Sequence, residues 1–408
     1  MELRRRYQGG IQTATHVHIS NPQVYQALYG KANLVKACRE VLSNPDSLYD
    51  LTCKGNLVAV ITDGSAVLGL GNIGAGAGMP VMEGKSVLFK SFGAVEAFPI
   101  CIKTQDTDEI VETVKAIAPI FGGINLEDIA APRCFEIEER LIEETDIPIF
   151  HDDQHGTAVV CVAAILNALK AVQKPIESIR IVVNGAGASA LSVSRLLLLA
   201  GVKDMIICDT KGAIYEGRPY GMNPFKTRIA KLTNREKLEG QLDAMIQGAD
   251  VFIGLSVPGA LSQAMVRRMN PDAIVLAMAN PIPEILPHEA LAAGAKIVGT
   301  GRSDFPNQVN NCLAFPGIFR GTLDVRAHRI NDEMKLAAAK AIASCVDSAS
   351  ISQGTVIPSV FQSNVHLKVA AAVAQSAIDT GVARGSLTPE QSRDRLATFL
   401  KTGTWLSF

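Results

Sequence analysis

The rhythm of apolar positions changes near residue 156. Before it, helical and strand-like stretches are mixed. Residues 33–43 have helical spacing, and Asn44-Pro45-Asp46 makes a turn. Leu57-Val58-Ala59-Val60-Ile61-Thr62 is a short β-branched apolar run ending in Asp63-Gly64, the pattern of a buried strand. Val87-Leu88-Phe89 and residues 97–102 read as further strands. Residues 106–117 are helically spaced, with Thr107 as the expected cap and Asp108 and Glu109 in the first turn.

After residue 156, strands and helices alternate. A helix over 157–170 is followed by a strand over 179–183, a glycine loop, a helix over 190–200 and a strand over 205–208. Val251-Phe252-Ile253, Ile274-Val275-Leu276 and Lys296-Ile297-Val298 continue the series. Alternation of this kind predicts a doubly wound parallel sheet. From about residue 332 the chain is alanine-rich and helical. The fold class is therefore α/β. A mixed α/β domain is expected over 1–155, a Rossmann-like domain over 156–330, and a helical extension over 331–408.

Composition narrows the function classes. The 408 residues carry a formal net charge of -1, with 48% hydrophobic and 19% charged residues. Nothing in this balance favours nucleic acid or an anionic membrane as partner. The most apolar run lies near Leu196 to Val202, far short of the roughly 20 residues of a spanning helix. The basic start, residues 1–6, has no apolar core behind it, so a cytoplasmic location is the default expectation. Eight cysteines are scattered without a C-x-x-C pair and read as small buried hydrophobes in a reducing compartment.

Asn184-Gly185-Ala186-Gly187-Ala188-Ser189-Ala190 follows an apolar strand and opens a helix, the setting that a G-x-G-x-x-A dinucleotide loop requires. Gly185 permits the tight turn, Gly187 lets a pyrophosphate approach, and Ala188 and the small Ala190 complete the loop where helix and strand pack. The helix N-terminus offers free N–H groups to phosphate. Asp209 ends the next strand, where a carboxylate binds ribose hydroxyls and repels a 2′-phosphate. It favours NAD over NADP, and the nearby Lys211 moderates that preference. Gly69-Leu70-Gly71-Asn72-Ile73-Gly74 also matches G-x-G-x-x-G. Gly76, Gly78 and Pro80 follow, so no prompt helix is expected, and this stretch reads as an active-site or hinge loop. Gly299-Thr300-Gly301 either lines the ligand crevice or is a plain turn.

Two acidic pairs end apolar runs, Glu127-Asp128 and Asp152-Asp153. Acids at two strand ends suit a hard divalent cation, Mg²⁺ or Mn²⁺; acids in a first helical turn also simply complement its dipole. Flanking strands that look buried favour the cation, because clustered buried acids repel one another. His151 and His155 flank the second pair and read as base, ligand or hydrogen-bonding scaffold.

At these residues a resemblance becomes specific. The stretch from Thr62-Asp63-Gly64-Ser65 to Gly69-Leu70-Gly71, then Met79-Pro80-Val81-Met82-Glu83-Gly84-Lys85, Asn125-Leu126-Glu127-Asp128, the run from Phe150-His151-Asp152-Asp153 to Gln154-His155-Gly156-Thr157, and Asn307-Gln308-Val309-Asn310-Asn311 resemble, in order, motifs of the malic enzyme family in its short bacterial type. The resemblance implies oxidative decarboxylation of (S)-malate to pyruvate and CO₂ with reduction of NAD, or NADP, in a homodimer or higher homo-oligomer. It makes the first domain the substrate and metal domain. Position by position it implies Glu127, Asp128 and Asp153 as ligands of Mg²⁺ or Mn²⁺, Lys85 as the catalytic lysine with Asp152 in support, and Asn280 and Asn311 on the substrate carboxylate beside the nicotinamide. A base role for Lys85 implies a lowered pKa.

One motif is missing. The family's proton donor to C3 is a tyrosine in A-Y-[ST]-P-G, which this chain lacks; Tyr29, in Ala27-Leu28-Tyr29-Gly30-Lys31, is the nearest candidate, ahead of Tyr25. Ala66 stands where larger members carry an arginine. Two other readings compete: an oxaloacetate decarboxylase without net redox change, and a catalytically impaired NAD-binding regulatory protein.

Overall fold

The computed structural model describes residues 2–67, 69–362 and 364–403. Leu68, inside the motif that starts at Thr62, lies outside the described residues, as do Met1 and residues 404–408. Two sheets organise the chain. The first holds β1 (Leu57–Thr62), β2 (Glu96–Cys101), β3 (Gly123–Leu126) and β4 (Ile149–His151) in the order β2-β1-β3-β4, all parallel. Ile61 pairs with Leu126, and Leu126 with His151, so β1, β3 and β4 finish side by side. With strands about 4.8 Å apart, the residues just beyond these ends share one rim: Asp63, the Glu127-Asp128 pair and the Asp152-Asp153 pair.

The second sheet holds β5 (Arg180–Asn184), β6 (Asp204–Asp209), β7 (Gly212–Ala213), β8 (Val251–Gly254), β9 (Ala273–Ala277) and β10 (Ala295–Thr300), in the order β10-β9-β8-β5-β6-β7. Only β7 runs antiparallel to its neighbour. The chain leaves β5 to one side for β6 and returns on the other for β8, so the switch point lies between β5 and β8. Period-two alternation explains the continuous apolar strands. Ile181 and Val183 enter one core cluster and Val182 another, because helices cover both faces.

The first cluster also runs through the helix Asp152–Val172, which packs against the helices Ala188–Leu199 and Asp332–Ala343. The sequence predicts this helix over 157–170, and the structure starts it five residues earlier, which makes it, rather than the run near Leu196, the long apolar segment of the described chain. By length and composition alone it is long and apolar enough to cross a membrane; here 67% of that window is buried. The C-terminal helices Asn364–Asp379 and Pro389–Thr402 pack on the helix Phe315–Asp324. Arg320, Ser392 and Arg395 converge there on the buried Asp324.

Three local expectations are corrected. Val87-Leu88-Phe89 is not a strand but part of the helix Ala75–Gly93, which begins directly after the Gly69-to-Gly74 stretch and contains Pro80. Its buried Met82, Lys85, Ser86 and Phe89 stand at helical spacing, and burying that stripe outweighs the cost of about 3 kcal/mol for an internal proline. The cap of the helix Thr107–Ile117 is Asp106, whose carboxylate accepts from the Glu109 amide, not Thr107. Cys134, Cys161, Cys208 and Cys312 are buried, but Cys38 and Cys53 are exposed. Burial pushes the thiols of Cys161, Cys208 and Cys312 up to about 12.

Candidate active site

The rim of the first sheet gathers the acids that the sequence singled out. One carboxylate oxygen each from Glu127, Asp128 and Asp153 lies within 4.8 Å of the others. Glu127 and Asp128 are buried. Asp128 adopts a left-handed backbone, φ 54°, a conformation that aspartate tolerates better than most residues. Its amide donates to Asp153 Oδ2 at 2.8 Å, which ties the two strand ends together. Burial, only partly offset by Lys85, combines with Asp153, Asp152 and Asp128 to raise the Glu127 carboxyl well above the usual range. Such a set of oxygen donors fits a hard divalent cation, whose charge offsets that repulsion.

Lys85 reaches the set from the helix Ala75–Gly93. Its Nζ lies 2.5 Å from Asp152 Oδ2 and 2.9 Å from Glu127 Oε1, and it sits over the Phe315 ring. Burial opposes its charge, but the Asp152 and Glu127 carboxylates outweigh that penalty and raise the ammonium above its ordinary value. This direction is opposite to the lowering that a base role implies, because the groups beside Lys85 are anions. Asn311 donates to the same Asp152 oxygen at 2.5 Å. Asp152 fits only because residue 156 is glycine: a Cβ there would stand 1.9 Å from Asp152 Oδ1.

Behind the rim stands a residue that pattern reading missed. Glu138 accepts from the His151 amide, Gln154 Nε2 and His155 Nε2. Burial raises its carboxyl, but His155, Lys335 and His151 outweigh burial and hold it at about 2. His155 is thus a scaffold residue, and burial lowers its imidazole. His151 is fully buried, with Nε2 3.8 Å from Asp153 Oδ2. The signal for Glu138 was present: with Cys134, Ile137 and Leu141 it lies on the buried face of the helix Arg133–Glu144. Arg133 was also missed; it holds the buried Asp63 at 2.7 Å and Ser65 at 3.0 Å, and the Ala66 amide donates to the Asp128 carbonyl.

The glycine loop lies at the carboxyl end of β5. Gly185 has φ 125°, and a Cβ on it would stand 2.3 Å from the Leu255 carbonyl oxygen, so only glycine makes this turn. A Cβ on Gly187 would meet nothing within 4 Å, leaving room for a phosphate at the start of the helix Ala188–Leu199. Ala188 opens that helix and Ala190 is buried in it. Ser189 donates to the Asp153 carbonyl at 2.7 Å, so the loop is joined directly to the acid set. On the far side of the switch point, a cavity of about 470 Å³ is lined by Asn280, Pro281, Gly301, Arg302 and Gln308. Asp209, at the end of β6, is held by Arg218 and Lys226, two cations 9 and 17 residues along the chain that no motif in the sequence ties to it.

Tyr29 stands apart. It ends the helix Pro22–Tyr29, which buries no residue; the residue is 66% exposed, and its ring centroid lies 6.0 Å from that of Tyr25.

Comparison with known proteins bears on the same two regions. Residues 6–142 match the family model "Malic enzyme, N-terminal domain", and residues 154–378 match "Malic enzyme, NAD binding domain". The chain belongs to the malic enzyme family. It is 55% identical to the bifunctional malic/malolactic enzyme of Bacillus subtilis, over 97% of this chain and 96% of that one. It is 54% identical to the NAD-dependent malic enzyme of Geobacillus stearothermophilus, over 93% of this chain and 79% of that one. The crystal structure of the malic enzyme from Pyrococcus horikoshii superposes with a TM-score of 0.94 at 45% identity, covering 98% of this chain and 96% of that one. In this malic enzyme, then, Lys85, Asp152 and Asn311 form one contact group, and Glu127, Asp128 and Asp153 form the set beside it.

Proposed function

We propose that the chain catalyses the oxidative decarboxylation of (S)-malate to pyruvate and CO₂ with reduction of NAD or NADP. The observation that carries this reading is the joining of three clustered oxygen donors to a dinucleotide loop through Ser189 and Asp153, with Lys85 in the same group. Glu127, Asp128 and Asp153 would hold Mg²⁺ or Mn²⁺, and the bound cation and dinucleotide supply Lewis acidity and a hydride acceptor. Gly185, Gly187, Ala188 and Ala190 cradle the pyrophosphate. Asn280 and Asn311 orient the substrate carboxylate. Lys85 carries the proton of the C2 hydroxyl, and Asp152 fixes its Nζ. For Lys85 to accept that proton, one of its two carboxylate partners must be engaged elsewhere, and Glu127 belongs to the cation set.

Tyr29 is our candidate for the proton donor to C3. Because its helix buries nothing within one chain, this assignment requires that the helix be seated on another surface, as a homodimer or higher homo-oligomer provides. A cytoplasmic location is proposed on family membership alone. We assign residues 1–155 to substrate and metal, 156–330 to the dinucleotide, and 331–408 to the helical extension.

The likeness to the bifunctional relative favours a second activity of the same site, conversion of malate to lactate and CO₂ without net redox change. One assay tests both: malate and Mn²⁺ with NAD or NADP, following absorbance of the reduced cofactor and lactate. Reduced cofactor and pyruvate are the expected result. No reduction with either cofactor overturns the first reading; absence of lactate under all conditions overturns the second.

A further inference from the structure

Asp209 was expected to accept both ribose hydroxyls, but its oxygens are already engaged. Oδ1 accepts from the Lys211 amide at 2.8 Å and Arg218 Nη1 at 2.9 Å; Oδ2 accepts from Arg218 Nη2 at 2.5 Å and Lys226 Nζ at 2.7 Å. Four donors saturate the lone pairs of a carboxylate. A ribose diol can bind Asp209 only if one of them leaves.

The two cations differ in their freedom to leave. The Arg218 side chain has no exposed surface, and it also donates to the Gly212, Ala213 and Gly221 carbonyls and lies 3.3 Å from the Met222 sulfur. Its rigid fork is spent on fixing Asp209 and the β6–β7 turn. Lys226 is different: its side chain is 17% exposed, it sits in the first turn of the helix Pro224–Ala230, and among the described residues the one other acceptor of its ammonium is the Gly221 carbonyl at 3.1 Å. It is a point charge on a flexible stem. The Lys211 stem packs over the same Gly221. Cations therefore outnumber the single anion at the place where the β5 loop and β6 meet, since the Gly185 amide donates to the Cys208 carbonyl.

We propose that Lys226 is a movable cation of the adenosine pocket, leaving Asp209 to the ribose diol when NAD binds and pairing with the 2′-phosphate when NADP binds, so that this chain accepts both dinucleotides. The inference rests on the dinucleotide reading above and refines its cofactor choice. Arg218 holds Asp209 in either state, which keeps the carboxylate from repelling the phosphate at full strength.

The test is titration of the purified intact protein with NADH and NADPH, by nicotinamide fluorescence or calorimetry, without malate. The wild type is expected to bind the two with Kd values within about tenfold of each other. Lys226→Gln is expected to raise the ratio of the NADPH Kd to the NADH Kd by about tenfold or more, the weight of one charge-assisted contact, and Lys226→Arg to restore it. Adenosine 2′,5′-bisphosphate against ADP should show the same change, which locates it at the phosphate. A wild type that binds NADPH more than tenfold more weakly than NADH, or a Lys226→Gln variant that weakens both equally, overturns the inference. If neither nucleotide binds, the dinucleotide reading itself falls. If NADH binds but malate is not oxidised, the proposed reaction falls while the Kd ratio still judges Lys226.

Discussion

The two sheets each end in aspartates, and the surroundings of those aspartates have opposite signs. At the rim of the first sheet, Glu127, Asp128, Asp152 and Asp153 stand together, and Lys85 pairs with Glu127 and Asp152. At the end of β6 a single Asp209 is shared by Arg218 and Lys226. The residue type and its place at a parallel strand end are the same. What differs is the balance of neighbours, and that balance decides what each place attracts: the first has negative charge left for a cation, the second positive charge left for a phosphate. A strand-end aspartate read alone carries neither meaning.

The contrast can be broken at its strongest point by Lys85→Ala. Turnover of malate is expected to fall by about 10²–10⁴-fold, the range for a positioned proton carrier, with Mn²⁺ binding retained. Steady-state kinetics beside a metal titration measures both, and full activity refutes the assignment. Asp153→Asn removes a charge from the acid set while keeping its shape; we expect Mn²⁺ affinity to drop by about a hundredfold or more, read by calorimetry. The same substitution at Asp209 should leave Mn²⁺ affinity as it was, which is the sharpest form of the comparison.

On the cationic side, Arg218→Ala leaves a largely buried carboxylate with one fewer partner and is expected to cost about 3 kcal/mol of stability. An Asp209→Asn, Arg218→Ala double variant should recover part of that loss in urea unfolding. The smallest effect is on pH dependence. Burial raises the Asp209 carboxyl, but Arg218 and Lys226 outweigh it and hold it well below the usual carboxylate range. Its contribution is therefore present above pH about 4 and lost as pH falls below that. Asp209→Asn should flatten the acid limb of a stability–pH curve, and an unchanged limb would show that the pair contributes nothing.

Much of the fold was legible because period-two and period-3.6 patterns reflect burial directly. The runs at 57–62 and 179–183 are apolar throughout since both faces are covered, and β1 and β5 stand there within a residue. The helix Ala75–Gly93 was obscured by Gly76, Gly78 and Pro80, although its stripe of Met82, Lys85, Ser86 and Phe89 carried the right spacing. The acid set was legible because its members are adjacent in pairs and end strands. Glu138 and Arg218 were not, because their importance lies in partners 13 or more residues away for Glu138, and across a turn nine residues from Asp209 for Arg218. A single charged residue on a helix or in a loop has no pattern until the fold brings its partner to it. Tyr29 marks the other boundary: the missing A-Y-[ST]-P-G motif was plain in the sequence, and the isolated chain leaves the ring exposed.

The hydrogen bond from Ser189 to the Asp153 carbonyl has a thermodynamic consequence. It ties the phosphate loop to the backbone of one member of the cation set, which gives any coupling between the occupants of the two places a direct structural route. Linkage of equilibria runs equally in both directions. Any factor by which a bound dinucleotide tightens or loosens the hold on the cation is the factor by which the cation tightens or loosens the hold on the dinucleotide.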